Sequence, residues 1–124
     1  MTILTIVALV VAILGCAFIL FIGARFLLAP QVALAGFGVP ADRPRALTNI
    51  KGVRDLTSGI VPLVALLVAG PHVFGWVLVA AAITPIGDAI IVATNGGTLR
   101  HALTVHASTA LVLVVVGILL GLLG

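Results

Sequence analysis

The chain has 124 residues and a net charge of +3, with 63% hydrophobic and only 7% charged residues. Soluble domains carry roughly 25% charged residues, and a chain this short has no interior large enough to hide so much apolar surface. Composition therefore excludes an ordinary soluble fold and makes lipid the expected solvent. It also argues against a nucleic-acid-binding surface, because the six basic residues gather at loops instead of lining a face.

Residues 3–28 form the first apolar run. No Lys or Arg precedes it, and it is longer than the ~7–15 residues of a signal-peptide core, so the Ala33-Leu34-Ala35 imitation of a cleavage site is set aside and a retained helix is expected. Ala8, Ala12 and Cys16 recur at four-residue steps, with Gly23 further on, a pattern that lets membrane helices approach closely. Cys16 is the single cysteine, so it forms no intrachain disulfide and reads as a small packing residue.

Residues 29–48 hold Pro30, Pro40 and Pro44 and mixed charge, and read as a loop. A second span runs over 49–69 and closes at the Gly70-Pro71 breaker. A third covers 73–94 and ends at Asn95-Gly96-Gly97, and a fourth covers 99–123. Each meets the roughly 20 residues that cross ~30 Å of hydrocarbon. The expected fold class is all-α, a polytopic four-transmembrane-helix bundle forming a single domain over residues 1–124. Gly117 and Gly121 form a GxxxG pair in span four; packing inside the bundle is its simpler use, and a homo-oligomer its alternative.

The charges set an expected orientation. Arg25, Arg43, Arg45, Lys51 and Arg54 lie in or beside the first loop and Arg100 at the third, while the second loop and both termini carry no Lys or Arg. Loops one and three are therefore expected in the cytoplasm and both termini outside. Trp76 fits an anchor near the outer interface.

The polar residues inside the spans hold the functional signal. A carboxylate at membrane depth is unfavourable by about 2.5–3.5 kcal/mol on insertion scales, yet Asp88 stands in the middle of ITPIGDAIIVAT. Counted at 1.5 Å per residue, Asp88 lies roughly 9 Å in from the end of span three. His106 lies roughly 10 Å into span four, and Arg54 and Asp55 roughly 6–9 Å into span two. Four ionisable residues from three helices thus share one layer on the cytoplasmic side. Thr84, Asp88 and Asn95 fall on one helical face, Asp55 and Ser58 on another, and His106 and Thr109 on a third. Arg54 and Asp55 are adjacent, about 100° apart around a helix, and are not expected to aim at one point.

With both Asp ionised, Arg54 leaves the set one proton short of neutrality, and a low-dielectric site favours neutrality. Asp88 is therefore expected to be offset by Arg54 and to share a proton with Asp55 or His106. His101 reads as a headgroup-level residue and His72 as solvated at the outer turn. No His, Asp or Glu pair has the i, i+4 spacing of an HExxH-type site, so no metal is expected, and no cofactor motif is present.

Gly52-Val53-Arg54-Asp55 followed by Gly59, then Pro85-Ile86-Gly87-Asp88, then His106 resemble a domain-of-unknown-function family of small four-helix integral membrane proteins from bacteria and fungi. The likeness covers most of the chain from Asn49 onward and is weaker over span one, with a looser likeness to four-helix families of the DoxX type. It implies that Arg54, Asp55, Asp88 and His106 belong to one site, and it supplies no reaction.

The expected function is binding of a lipophilic small molecule among the helices, with acid–base chemistry such as isomerisation, cyclisation or hydration. Asp88, Asp55 and His106 are the candidate catalytic groups, and Arg54, Ser58, Thr84 and Thr109 the candidate binding groups. Expected partners are membrane lipid and such a ligand. A structural or accessory subunit, whose polar cluster only fixes helix packing, is the alternative. A small proton-coupled transporter is a further one, weakened because span one has no carboxylate and the polar layer lies off the midplane.

Overall fold

A computed structural model describes residues 3, 21, 24, 25, 27–38 and 42–124. Helix is the only regular structure among them, so the all-α class stands. Most of the first expected span, with Ala8, Ala12, Cys16 and Gly23, lies outside the described residues. The chain divides into two compact units, Met1–Lys51 and Gly52–Gly124.

In the first unit the Arg25 guanidinium sits 5.8 Å from the centre of the Phe21 ring, a cation–π contact. Helix α1 spans Pro30–Phe37, where a loop was expected. Proline was read as a breaker, but at the first helical position its missing N–H is one the helix leaves unpaired anyway, and its fixed φ suits the turn. The same holds at Pro44, which opens α2, Pro44–Ala81. The Arg43 carbonyl accepts from the Ala46 N–H at 3.0 Å, closing the first turn of α2. Gly38, at φ 88°, takes the left-handed conformation that ends α1.

In the second unit α2 is interrupted at Gly70, whose φ of 79° and ψ of −179° are not helical. Pro71 then opens the next run, so the breaker acts where the sequence places it. Helix α3, Ile83–Thr94, continues that run through Ala82, whose N–H donates to the Leu78 carbonyl at 3.1 Å. Past Thr94 the chain turns tightly. Gly96 has φ 89°, and the Gly97 N–H reaches back to the Val92 carbonyl at 2.9 Å, the Schellman closure of a helix C-terminus. Asn95 Nδ2 adds a bond to the Ile91 carbonyl at 2.9 Å.

Helix α4, Leu99–Leu123, starts with Thr98 as its N-cap, where Oγ1 accepts from the His101 N–H at 3.1 Å. Thr98→Ala is expected to lower stability by about 1 kcal/mol, read by thermal melting of the purified protein, because that N–H loses its acceptor. Residues Ala102–Ala107 of α4 are π-helical, and the Ser108 N–H donates to the Leu103 carbonyl five residues back.

Two helical stretches, Pro44–Thr94 and Leu99–Leu123, are long and apolar enough to cross a membrane. Packing runs opposite to that of a soluble core. Every buried residue among those described is Ala, Gly or Pro, while Leu67, Ile83, Leu111 and Leu122 point outward. Small residues at contacts let backbones approach, which is how helices associate when burial of large side chains from water does not drive them.

Glycine meets glycine between these helices. A methyl group on Gly75 would lie 2.5 Å from the Gly117 carbonyl oxygen and 2.9 Å from the Leu120 carbonyl carbon. Gly121 lies under the Trp76 ring. The GxxxG pair is thus used inside the chain, against a glycine the sequence pattern did not single out. These contacts set an antiparallel register, with Pro71 beside Gly124, Gly75 beside Gly121 and Val79 beside Gly117. Carried toward the turn, that register sets Asp88 level with Ser108, at the end of the π segment on which α3 chiefly packs.

Candidate functional site

Arg54 lies on the first run of α2 and Asp88 on α3, 34 residues apart in sequence. Arg54 Nη2 stands 3.1 Å from Asp88 Oδ1 and 3.1 Å from Oδ2, so one nitrogen bridges both carboxylate oxygens. The same guanidinium contacts Asp55 Oδ1 through Nε at 3.3 Å and Nη2 at 3.2 Å. The expectation that Arg54 and Asp55 diverge is therefore corrected. Their Cβ directions differ by about 100°, but the long, flexible arginine stem bends its head back over the neighbouring carboxylate.

The three side chains differ in exposure. Asp88 is 16% exposed, against 44% for Arg54 and 46% for Asp55. Asp88 is the group that most needs a partner, since desolvation penalises an unpaired charge. Arg54 supplies it. With both carboxylates ionised the three side chains themselves carry a charge of −1. Arginine has five N–H donors in a planar fork. Nε and Nη2 are engaged, while Nη1 has no partner among the described residues, leaving two donors for an added anionic or carbonyl oxygen.

The hydroxyl residues are satisfied locally. Ser58 Oγ donates to the Arg54 carbonyl at 2.9 Å, one turn back on the same helix. Pro62, four residues after Ser58, lacks the N–H that would bond the Ser58 carbonyl. Thr84 is half-buried one turn before Asp88 on α3. Thr109 Oγ1 donates to the Val105 carbonyl at 2.6 Å. Together with Ser108, Val112 and Leu113 it lines an open cavity of about 240 Å³.

His106 belongs to the π segment packed on α3, but no hydrogen bond among the described residues joins it to either carboxylate. Its ring stands edge-on to His101, with centroids 5.9 Å apart. The sequence puts His101 at headgroup level and does not predict its pairing with His106, because an α-helical period sets residues five apart on different faces. His72, expected to be merely solvated, rests edge-on to Trp76 at 6.4 Å. The structure thus brings Arg54, Asp55 and Asp88 together and links His106 to His101 instead.

The π segment has its own support. Its wider turn weakens the regular backbone ladder, and three hydroxyls donate to carbonyls along it. Thr104 Oγ1 bonds the Arg100 carbonyl at 2.8 Å, Ser108 Oγ the Thr104 carbonyl at 2.6 Å, and Thr109 adds the bond already described. Each follows the i−4 pattern that carries a hydroxyl in apolar surroundings. π-helical turns recur at functional sites, which makes this stretch of α4 a second place of interest beside the Arg54 trio.

No curated protein and no solved structure matches this chain. A family model described as a domain of unknown function, DUF4267, matches residues 16–120, and that stretch contains every candidate site residue named above. The match spans most of the chain, and the protein belongs to the DUF4267 family.

Proposed function

We propose that this protein is an integral membrane protein, a four-helix bundle that binds a lipophilic small molecule at the Arg54, Asp55 and Asp88 cluster and carries out acid–base chemistry on it. Isomerisation, cyclisation or hydration suits the equipment. The observation that carries this reading is the Arg54 guanidinium, held by two carboxylates and still offering the two Nη1 donors. A substrate carbonyl or anionic oxygen would bond there, beside Asp88 as the acid or base and Asp55 as its counterpart. His106, on the segment of α4 packed on α3, is the third titratable group of the site.

Membrane integration is supported by the outward-facing large apolar side chains and by the two long apolar stretches. In the proposed topology loops one and three are cytoplasmic and both termini outside, from the placement of the basic residues. Intramembrane ionisable residues are expensive, and their retention by default signals a site.

One observation favours a second reading, that of a structural tether. Arg54 engages both oxygens of Asp88 and ties two helices that are distant in sequence, which alone fixes their neighbourhood. The two readings part in one experiment. Wild type and Asp88→Asn are extracted from the producing membranes, checked for helicity and monodispersity, and analysed by native mass spectrometry and solvent extraction. Wild type is expected to retain a lipophilic species that Asp88→Asn has lost at least tenfold. Equal retention, or none by wild type above the detergent blank, leaves the tether.

A further inference from the structure

His101 and His106 stand five residues apart in α4. On an α-helix that spacing places them about 140° apart around the axis, facing different ways. The π turn from Ala102 to Ala107 closes on the fifth residue instead of the fourth, and it brings the two imidazoles onto one side with ring centroids 5.9 Å apart. His101 is exposed and His106 half-buried, so the pair opens outward. Neither ring is tied to a carboxylate among the described residues.

We propose that His101 and His106 form a two-histidine site for a borderline divalent cation of the zinc type, made by the π register. Imidazole nitrogens suit Zn²⁺, Cu²⁺ and Ni²⁺ better than hard cations. The geometry fits one shared ion. With metal–nitrogen bonds of about 2.0–2.1 Å and each ring nitrogen about 1.1 Å from its centroid, two imidazoles on one ion have centroids about 4.5 Å apart at a right angle and about 6.4 Å when opposed. At the tetrahedral angle Zn²⁺ prefers, the centroids would stand about 5.2 Å apart, so the observed 5.9 Å has to close by less than about 1 Å, a shift on the scale of a side-chain rotation. No third His, Cys, Asp or Glu joins the pair among the described residues, so water or a ligand fills the other positions. Such an open site suits exchangeable ion binding and not a closed structural centre.

The pair shares His106 with the function proposed above but includes none of the Arg54 trio, and its test reads metal binding alone. Tag-free protein in detergent is titrated with Zn²⁺ by calorimetry. One equivalent per chain is expected, in the micromolar range, with at least tenfold weakening in both His101→Gln and His106→Gln and no change in His72→Gln. A second measurement needs no variant: Cu²⁺ added at one equivalent to wild type is examined by pulsed electron paramagnetic resonance, which counts coordinated imidazoles. Two are expected on one ion. A single imidazole or none, or Zn²⁺ binding that survives either substitution, overturns the proposal.

Discussion

Arg54→Met is expected to destabilise the protein by about 2–4 kcal/mol, between the losses of an exposed and a buried ion pair, because Asp88 is mostly covered and Arg54 is half exposed. Asp88 is only 16% exposed, and its two oxygens share the Arg54 Nη2. Without Arg54 that carboxylate must either stay charged in apolar surroundings or take up a proton. Methionine keeps most of the stem's packing, so the loss reports the charge. The double variant Arg54→Met, Asp88→Leu is expected to recover most of the stability, because two apolar residues replace the pair without leaving a stranded charge. Asp55→Asn is expected to change stability by no more than about 1 kcal/mol, since Asp55 is nearly half exposed and its contact is screened. Denaturant titration in detergent micelles reads all three. A loss at Arg54→Met no larger than at Asp55→Asn would refute the central role of the Arg54–Asp88 pair.

Gly75→Ala should be nearly as damaging, at about 2–3 kcal/mol, although it adds a single methyl group. That methyl would meet the Gly117 carbonyl oxygen at 2.5 Å and the Leu120 carbonyl carbon at 2.9 Å. Both are backbone atoms of α4 and have no rotamer through which to withdraw, so the helices must separate. Gly59→Ala and Gly87→Ala are the controls, with open space where their methyl groups would sit. Both lie in helices, where alanine exceeds glycine by up to about 1 kcal/mol, so each is expected to be neutral or stabilising. Thermal melts of the three variants decide the matter. If all three behave alike, the contact of Gly75 with α4 is not what holds these helices together.

Much of this was legible in the sequence, and the failures have identifiable physical causes. The Gly70-Pro71 break and the Asn95-Gly96-Gly97 turn were readable because glycine and proline act on the backbone directly, whatever surrounds them. The same rule misled at Pro30 and Pro44, where proline starts a helix. The shared depth of Arg54 and Asp88 predicts their pairing, and the structure joins them. Asp55 was aimed elsewhere because a helical wheel records where Cβ points and not how far an arginine can fold back.

His106 shows the deepest limit. Its neighbour depends on the local helical pitch, and pitch is set by how α4 settles on α3, a tertiary property that no residue spacing declares. Gly75 is illegible in the sequence for a similar reason. A lone glycine in an apolar run has no pattern of its own, and its meaning comes from Gly117 and Gly121 on another helix.

Contacts made by alanine, glycine and proline, with the bulky aliphatic residues turned outward, also bear on how such a chain can change over generations. Leu67 or Leu122 can become isoleucine, valine or phenylalanine with little effect on how the helices meet, because each already faces outward. Drift should therefore be fast over most of the surface and slow at Gly75, Ala82, Ala102, Ala110, Gly117 and Gly121, where even one carbon matters. Two descendants of a common ancestor could keep the same helix contacts while agreeing at few of their aliphatic positions, and kinship between them would be written mainly in their smallest residues.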